Sequence, residues 1–213
     1  MTTKRLDIVA IGNAIVDILA HADDALINEL ALTKGGMQLV DAAQADALYQ
    51  RMGTGVEASG GSAANTIAGM AALGRKCGFI GQVANDQFGK VFTHDIRTIG
   101  VEFTTPPREG TPPTAQCLIF VTPDGQRTMN TFLGAAQYLG AEALGRTMIE
   151  NAAMLYLEGY LWNADESRDA MAEAIAIAKG AGGKVAFTLS DSFVIAGHGD
   201  TFRKMMADGD IDI

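Results

Sequence analysis

The feature that most constrains the fold is a repeated alternation of short apolar runs with longer amphipathic segments, several of which end at a glycine. The apolar runs predict strands at residues 6–12, 77–83, 154–157 and 184–189. Apolar residues at helical spacing, followed by a glycine, predict helices that end at Gly74, Gly100 and Gly180. Because repeated strand–helix units pack as a mostly parallel sheet flanked by helices, we expect an α/β fold.

Two strand-like stretches interrupt this alternation. Residues 15–20 follow the first strand almost at once, and residues 115–121 and 126–132 flank the turn signal Thr122-Pro-Asp-Gly125, which predicts a β-hairpin. We expect these stretches to form a separate small sheet over one edge of the main sheet, with the hairpin outside the main sheet. The final residues, 211–213, indicate the start of a further strand, so we expect the sequence to be cut inside an α/β domain.

Composition excludes several classes of function. A net charge of −9 without a Lys/Arg cluster argues against nucleic-acid binding, and no apolar run is long enough to cross a membrane. Cys77 and Cys117 are far apart and lack metal-ligand spacing, so we expect reduced, buried cysteines in a cytoplasmic protein. The histidines receive no role because none has a neighbouring partner: His21, His94 and His198. The expected partner is a small molecule, and the expected state is a monomer or homodimer.

A glycine pair before a helix is the most informative local motif. Gly60 and Gly61 precede a helical segment and would let a ligand approach the backbone, while free N–H groups at the helix start face ligand oxygens. Asn65, in the first turns of that helix, is placed to reach a hydroxyl. The alternative is a tight turn with close packing of the helix on the sheet.

Polar residues also follow the first strand. Asn13 comes directly after Gly12, and Asp17 lies four residues further on. Open α/β sheets bind ligands at this end of their strands. A carboxylate accepts two hydrogen bonds, so the pair is suited to gripping vicinal hydroxyls. The alternative is an asparagine in a turn and a solvated aspartate on an edge strand.

The order and spacing of these motifs resemble the ribokinase-like (PfkB) family of carbohydrate and nucleoside kinases. Gly74, Gly81, Asp86 and Gly89 are also spaced as in the first signature region of that family. The resemblance implies a Rossmann-like core with a β-sheet lid built from residues near 13–40 and 104–138. It also implies that the hydroxyls of the acceptor are held by Asn13, Asp17, Gly36, Gly60, Gly61 and Asn65.

Within this family the sequence is most similar to adenosine kinases. Residues 130–136 resemble the lid segment that lines the base pocket, which implies contacts from Leu133 and Ala135. Two further segments, 158–160 and 189–193, resemble those that supply aromatic contacts to the nucleobase. Tyr160 and Phe193 would then stack on both sides of a purine. The alternative is ordinary core packing at the ends of strands.

The resemblance implies transfer of the ATP γ-phosphoryl group to a primary hydroxyl, with Mg²⁺ on the nucleotide phosphates. In the family an aspartate in a glycine-rich loop takes the hydroxyl proton, and a later Asn-x-x-Glu segment serves the metal. Neither is present, and Asp200 in Gly197-His-Gly-Asp lacks the family context, so no catalytic or metal residue is assigned. A kinase of a simple sugar, such as ribose or fructose, and a non-catalytic fragment remain as alternatives.

Overall fold

The computed structural model describes residues 5–213, which form two five-stranded sheets. The strands of the main sheet are β1 (Leu6–Ile11), β5 (Cys77–Ile80), β6 (Glu102–Phe103), β9 (Ala152–Glu158) and β10 (Lys184–Thr188). They lie in the order β10-β9-β1-β5-β6, and all their pairings are parallel. The expected α/β core is therefore present.

Helices cover both faces of the main sheet. On one face lie α3 (Ser62–Ala72) and α4 (Gln87–Thr98), and on the other lie α5 (Arg146–Glu150), α6 (Asp165–Gly180) and α7 (Ser192–Asp208). Side chains alternate along β1. Ile8 and Ala10 pack in the core on the side of α3 and α4, while Val9 and Ile11 pack in the core on the side of α5, α6 and α7. Every residue of β1 except Asp7 is apolar and buried, as is typical of a central strand covered on both faces, and this explains the strong strand signal of its sequence.

The second sheet is mixed and contains the predicted hairpin. Its strands are β2 (Ile15–His21), β3 (Met37–Leu39), β4 (Gly55–Gly60), β7 (Ala115–Val121) and β8 (Arg127–Phe132), in the order β3-β8-β7-β2-β4. β7 and β8 pair antiparallel, outside the main sheet as predicted. Two shorter helices complete this part: α1 (Asp24–Glu29) and α2 (Ala42–Tyr49).

Strand β4 lies outside the segments that the sequence assigned to the small sheet. It pairs antiparallel with β2 as the edge of the sheet, and its first three residues are exposed. An exposed edge strand needs no regular apolar alternation, so the run Gly-Val-Glu-Ala-Ser-Gly carries little strand signal. This is why its end was interpreted only as a glycine turn.

Helix boundaries agree with the local sequence signals. The Asp41 carboxylate accepts from the Gln44 N–H at 2.8 Å, and the Gln44 side chain accepts from the Asp41 N–H at 2.9 Å, which completes the predicted capping box. Gly74 and Gly100 follow their helices with φ of 79° and 83°. This left-handed conformation is the one for which glycine is favoured after a helix.

The last residues lie along β10. The Asp212 N–H donates to the Val185 carbonyl at 2.8 Å, and the Phe187 N–H donates to the Ile213 carbonyl at 3.0 Å. These bonds lay the last residues beside β10, but residues 211–213 are not themselves a strand, so the strand that their pattern predicts is not formed. No helix within residues 5–213 combines the length and apolar character needed to cross a bilayer.

Candidate functional site

A cavity of about 290 Å³ lies between the two sheets. Its floor is formed where β1 and β9 end and where α3 begins, the edge at which open α/β sheets bind ligands. Its wall is one face of the second sheet, which contributes Ile15, Asp17, Cys117, Ile119, Met129 and Thr131. The cavity thus combines a polar floor with a largely apolar wall, as is usual for small-molecule sites.

Most of the residues predicted for the site line this cavity: Asn13, Asp17, Gly61, Asn65, Leu133, Tyr160 and Phe193. The others lie behind the lining. Gly36 accepts through its carbonyl from the Met129 N–H at 2.9 Å, beside a residue that does line the cavity. Ala135 is fully buried, and its N–H donates to the Pro113 carbonyl at 2.8 Å.

The glycine pair is required by close packing within the protein. A Cβ on Gly60 would overlap the Asp17 carboxylate, and a Cβ on Gly61 would overlap the Asn13 carbonyl oxygen. Gly61 also has φ of 100°, which side-chain-bearing residues rarely adopt. The glycines therefore make room for neighbouring protein groups of the cavity, and Gly61 also lines the cavity itself.

Asp17 is an ionisable residue of the cavity whose pKa is shifted by its surroundings. Burial raises the pKa of its carboxyl to about 6, and the positive charge of Arg127 opposes this rise. Within residues 5–213 no side chain or N–H group donates a hydrogen bond to it. A partly buried carboxylate that faces a cavity with free acceptor capacity is suited to a ligand that brings its own donors.

Glu158, the last residue of β9, organises the floor and was not among the predicted site residues. Its carboxylate accepts from the Asn13 side-chain amide at 2.7 Å, from the Asn13 N–H at 3.3 Å and from the Ala63 N–H at 2.8 Å. It is only 1% exposed, and burial raises its pKa while these donors oppose the rise. Glu158 thereby joins the end of β1 to the start of α3. A charged residue that closes an apolar strand is the signal that would have identified it.

Arg127 lines the cavity from the first position of β8 and also was not predicted. The period-two alternation of the hairpin places it on the same face as Met129 and Thr131. That alternation, already visible in the sequence, is the signal that would have found it. Its charge lowers the pKa of Asp17.

Replacing Arg127 with glutamine is expected to move the pKa of Asp17 further upward, because the opposing positive charge is lost. If ligand binding requires ionised Asp17, the pH at which half of the ligand affinity is lost should also be higher in this variant. Affinity measured by calorimetry across pH 5 to 8 tests this. Arg146→Gln is the matched control. It removes the surface ion pair between Arg146 on α5 and Glu173 on α6, and it should leave the pH midpoint of ligand binding unchanged.

Tyr160 and Phe193 lie together at one end of the cavity, but they do not face each other across a gap. Their ring centroids are 5.9 Å apart and their planes are tilted by 39°. A flat base stacked between two rings would hold the rings roughly 7 Å apart, which is twice the contact distance of about 3.5 Å between carbon atoms. The expected arrangement on both sides of a purine is therefore absent. The pair instead offers a single aromatic surface.

The remaining polar candidates lie elsewhere. Asp200 is in the middle of α7, fully exposed and paired with Arg203 at 2.9 Å, so its glycine-rich surroundings are helical rather than a loop. His198 contacts Asn163 at 2.9 Å. Both cysteines are buried and unpaired, as expected. Residues 5–213 contain no group of three or more His, Cys, Asp and Glu side chains placed to hold a metal ion.

Comparison with solved structures places the chain close to two bacterial kinases. It is 48% identical to the adenosine kinase of Sinorhizobium meliloti, with a TM-score of 0.90, and the match covers 98% of this chain and 64% of that one. It is 45% identical to a probable sugar kinase of Rhizobium etli, with a TM-score of 0.91 and coverage of 98% and 63%.

Sequence comparison gives more distant curated relatives. The chain is 28% identical over 189 residues to a 5-dehydro-2-deoxygluconokinase of Shouchella clausii, covering 87% of this chain and 51% of the relative. The chain thus spans about half the length of the curated relatives that it matches. The model of the pfkB family carbohydrate kinases matches residues 9–208, and so the chain belongs to the pfkB family.

Proposed function

We propose that this chain forms the acceptor-binding part of a kinase that transfers the γ-phosphoryl group of ATP to a hydroxyl of a nucleoside, with adenosine as the favoured acceptor. Kinases of the pfkB family are phosphotransferases that act on sugar or nucleoside hydroxyls. On this proposal the second sheet is the lid over the acceptor, built from residues near 13–40 and 104–138 together with β4.

One observation carries the proposal: a single cavity is lined both by a partly buried carboxylate with free acceptor capacity and by a pair of aromatic rings. A nucleoside has the same two-part character, a polyhydroxyl ribose joined to a flat base. A simple sugar has the hydroxyls but no flat base to lie against the aromatic pair. The 48% identity with a solved adenosine kinase supports the same choice.

The polar floor would hold the ribose. The Asp17 carboxylate accepts hydrogen bonds from two neighbouring hydroxyls, and the Asn65 amide both donates and accepts. Asn13 is fixed by its bonds to Glu158, so its position does not have to be ordered when the ligand binds. A preformed floor of this kind reduces the entropic cost of binding.

The apolar wall would hold the base. Leu133 and Met129 of the second sheet lie on the same cavity as the Tyr160–Phe193 surface. A purine resting against one side of that aromatic surface gains contact area and an offset ring–ring interaction, worth about 0.5–1.5 kcal/mol beyond burial. The hydrogen-bonding edge of the base would remain available to polar neighbours such as Asn163.

Kinases of this family use ATP and typically a divalent metal. The described residues do not fit a metal site, since no suitable carboxylate cluster exists among them. We therefore assign neither a metal ligand nor a catalytic base to residues 5–213. The side chains of this chain bind and orient the acceptor, and they exclude water from it.

A polypeptide of residues 1–213 is accordingly expected to bind adenosine without consuming ATP. General-base and anion-stabilising groups each contribute roughly 10²-fold or more to rate, and neither is assigned here. Calorimetry with adenosine, ribose and fructose measures the binding, and an ADP-release assay measures turnover. Tighter binding of either sugar than of adenosine would favour the sugar-kinase alternative, and no binding of any of them would favour a non-catalytic fragment. Robust ATP consumption would show that catalytic groups have been overlooked.

A further inference from the structure

The hairpin of the second sheet is fastened to the rest of the chain at its root. Its first strand, β7, follows Thr114 directly, and its second strand, β8, leads into Leu133 and Gly134. The Pro113 carbonyl accepts from the Ala135 N–H at 2.8 Å, so the entering and leaving segments are tied to each other. The root of the hairpin is therefore one unit, defined here as residues 113–115 and 133–135.

Asp86, the N-terminal cap of α4, ties this root to the main sheet. Its carboxylate accepts from the Thr114 hydroxyl at 2.7 Å, from the Thr114 N–H at 2.8 Å and from the Gly89 N–H at 2.7 Å. The Thr114 hydroxyl in turn accepts from the Ala84 N–H at 2.9 Å. We call these bonds the Asp86–Thr114 clamp.

Burial and close packing make the clamp rigid. Thr114 is fully buried, and a Cβ on Gly89 would overlap the Ala84 carbonyl oxygen, so α4 starts with its backbone pressed against the preceding loop. Helix α4 is itself held on the main sheet by Phe92, whose ring lies 5.7 Å from that of Phe79. The Asp86 carboxylate is partly buried, and hydrogen bonds to a carboxylate are among the stronger ones in proteins.

The position of the hairpin root determines the position of the cavity wall. Strand β7 pairs with β2 so that Cys117 lies beside Asp17, and β8 pairs with β7 so that Thr131 lies beside Cys117. A shift at Thr114 is therefore transmitted along β7 to the wall that faces the floor. Neither Asp86 nor Thr114 lines the cavity.

We propose that Asp86 and Thr114 are positioning residues that set acceptor affinity by fixing the wall of the cavity, without touching the acceptor. This inference rests on the proposed function, because the ligand it concerns is the nucleoside. It also gives Asp86 and Gly89 of the glycine-containing segment 81–89 a physical role: the carboxylate closes the clamp, and the glycine allows the close approach behind it.

The test uses two threonines of the same hairpin. Thr114→Val keeps the shape of the side chain but removes the hydroxyl of the clamp. Thr122→Val is the matched control: Thr122 is also buried, at 2% exposure, and its hydroxyl also donates to an aspartate, Asp124, at 2.6 Å, but it lies at the tip of the hairpin. Thr114→Ser, which restores the hydroxyl, is the rescue variant.

We expect both valine variants to lose stability, but only Thr114→Val to bind adenosine about tenfold or more weakly, since a loosened supporting group misplaces the wall it holds. Thr114→Ser should bind nearly as well as the unaltered chain. Equal adenosine affinity for Thr114→Val and Thr122→Val would overturn the inference.

Hydrogen exchange provides a second readout that does not depend on ligand. Amides of β7 near the root should exchange faster in Thr114→Val than in Thr122→Val, and equal rates would also count against the clamp. If Thr114→Val does not fold, Asp86→Asn replaces it, because it keeps one acceptor oxygen but removes the negative charge and the second acceptor oxygen of the clamp. Failure of the unaltered chain to bind adenosine would contradict the proposed function instead. The hydrogen-exchange comparison would still test whether the clamp holds the hairpin root.

Discussion

Replacing Asp17 with asparagine is expected to abolish most acceptor binding while making the unliganded protein more stable. The carboxylate is the charged acceptor that the wall of the cavity presents to the ligand, and losing one partner of such a bond costs about 2–5 kcal/mol of binding free energy. That is a loss in affinity of roughly 30-fold or more. Calorimetric titration with adenosine measures it. Asp169→Asn, on the exposed side of α6, should leave affinity unchanged.

The stability change follows from the raised pKa of Asp17. The folded chain holds this proton up to about pH 6, whereas the ordinary pKa of an aspartate is 3.8, so the folded state binds more protons between these values. Stability from this group is therefore greatest at low pH and is lost as pH rises through that window. At pH 7 the ionised carboxylate destabilises the fold by up to about 3 kcal/mol, taking about 1.4 kcal/mol per pKa unit. Asparagine removes this penalty.

Ligand binding should show the opposite dependence on pH. Ionised Asp17 accepts from two hydroxyls and protonated Asp17 does not, so adenosine affinity should fall as pH falls through about 6. The Asp17→Asn variant should show no such fall. A variant that binds adenosine as tightly as the unaltered chain, or that is less stable at pH 7 in denaturant melts, would contradict the assigned role.

Replacing Gly61 with alanine is expected to cost roughly twice as much stability as the same change at Gly74, or more. Both glycines have positive φ, 100° and 79°, so both variants incur backbone strain of about 1–2 kcal/mol. A Cβ on Gly74 meets nothing within 4 Å, whereas one on Gly61 overlaps the Asn13 carbonyl oxygen. The backbone must therefore move at Gly61, which adds about 1–3 kcal/mol or more.

The cost at Gly61 should also appear in binding. Moving Asn13 disturbs its bonds to Glu158 and the start of α3, which together form the floor. We expect weak or absent adenosine binding by Gly61→Ala at temperatures where it is folded, and normal binding by Gly74→Ala. Chemical denaturation and calorimetry provide the two readouts. Similar losses of stability for both variants would show that the contact with Asn13 is relaxed at little cost.

The parts of the fold that sequence predicts best are those whose signal is local. β1 is apolar at every position except Asp7 because both of its faces are covered, and the hairpin carries its own turn residues. Strand β4 has neither property, since it is an exposed edge that depends on β2 for its pairing. Its strand character comes from a partner, which a local pattern does not show.

The residues of the site also divide into those with a local sequence signal and those that depend on distant parts of the chain. Asn13 and Asn65 were found because they follow a strand end and a helix start, which converge at one edge of the main sheet. Asp17 was found because it closely follows the first strand, although it lies within β2 of the second sheet. Glu158 was missed because its partner Asn13 is 145 residues away. The contact between Tyr160 and Phe193 was also beyond prediction, since it depends on how the turn after β9 packs against α7. Distances between side chains on separate loops are a property of tertiary packing.

The most direct test of the central claim is an experimental structure of this chain with adenosine bound. The account predicts that the nucleoside occupies the cavity between the two sheets, with two ribose hydroxyls within about 3 Å of the Asp17 carboxylate and the Asn65 amide. The purine should lie against one side of the Tyr160–Phe193 pair. Adenosine bound outside this cavity, or bound in it with its ribose turned away from Asp17, would contradict the account.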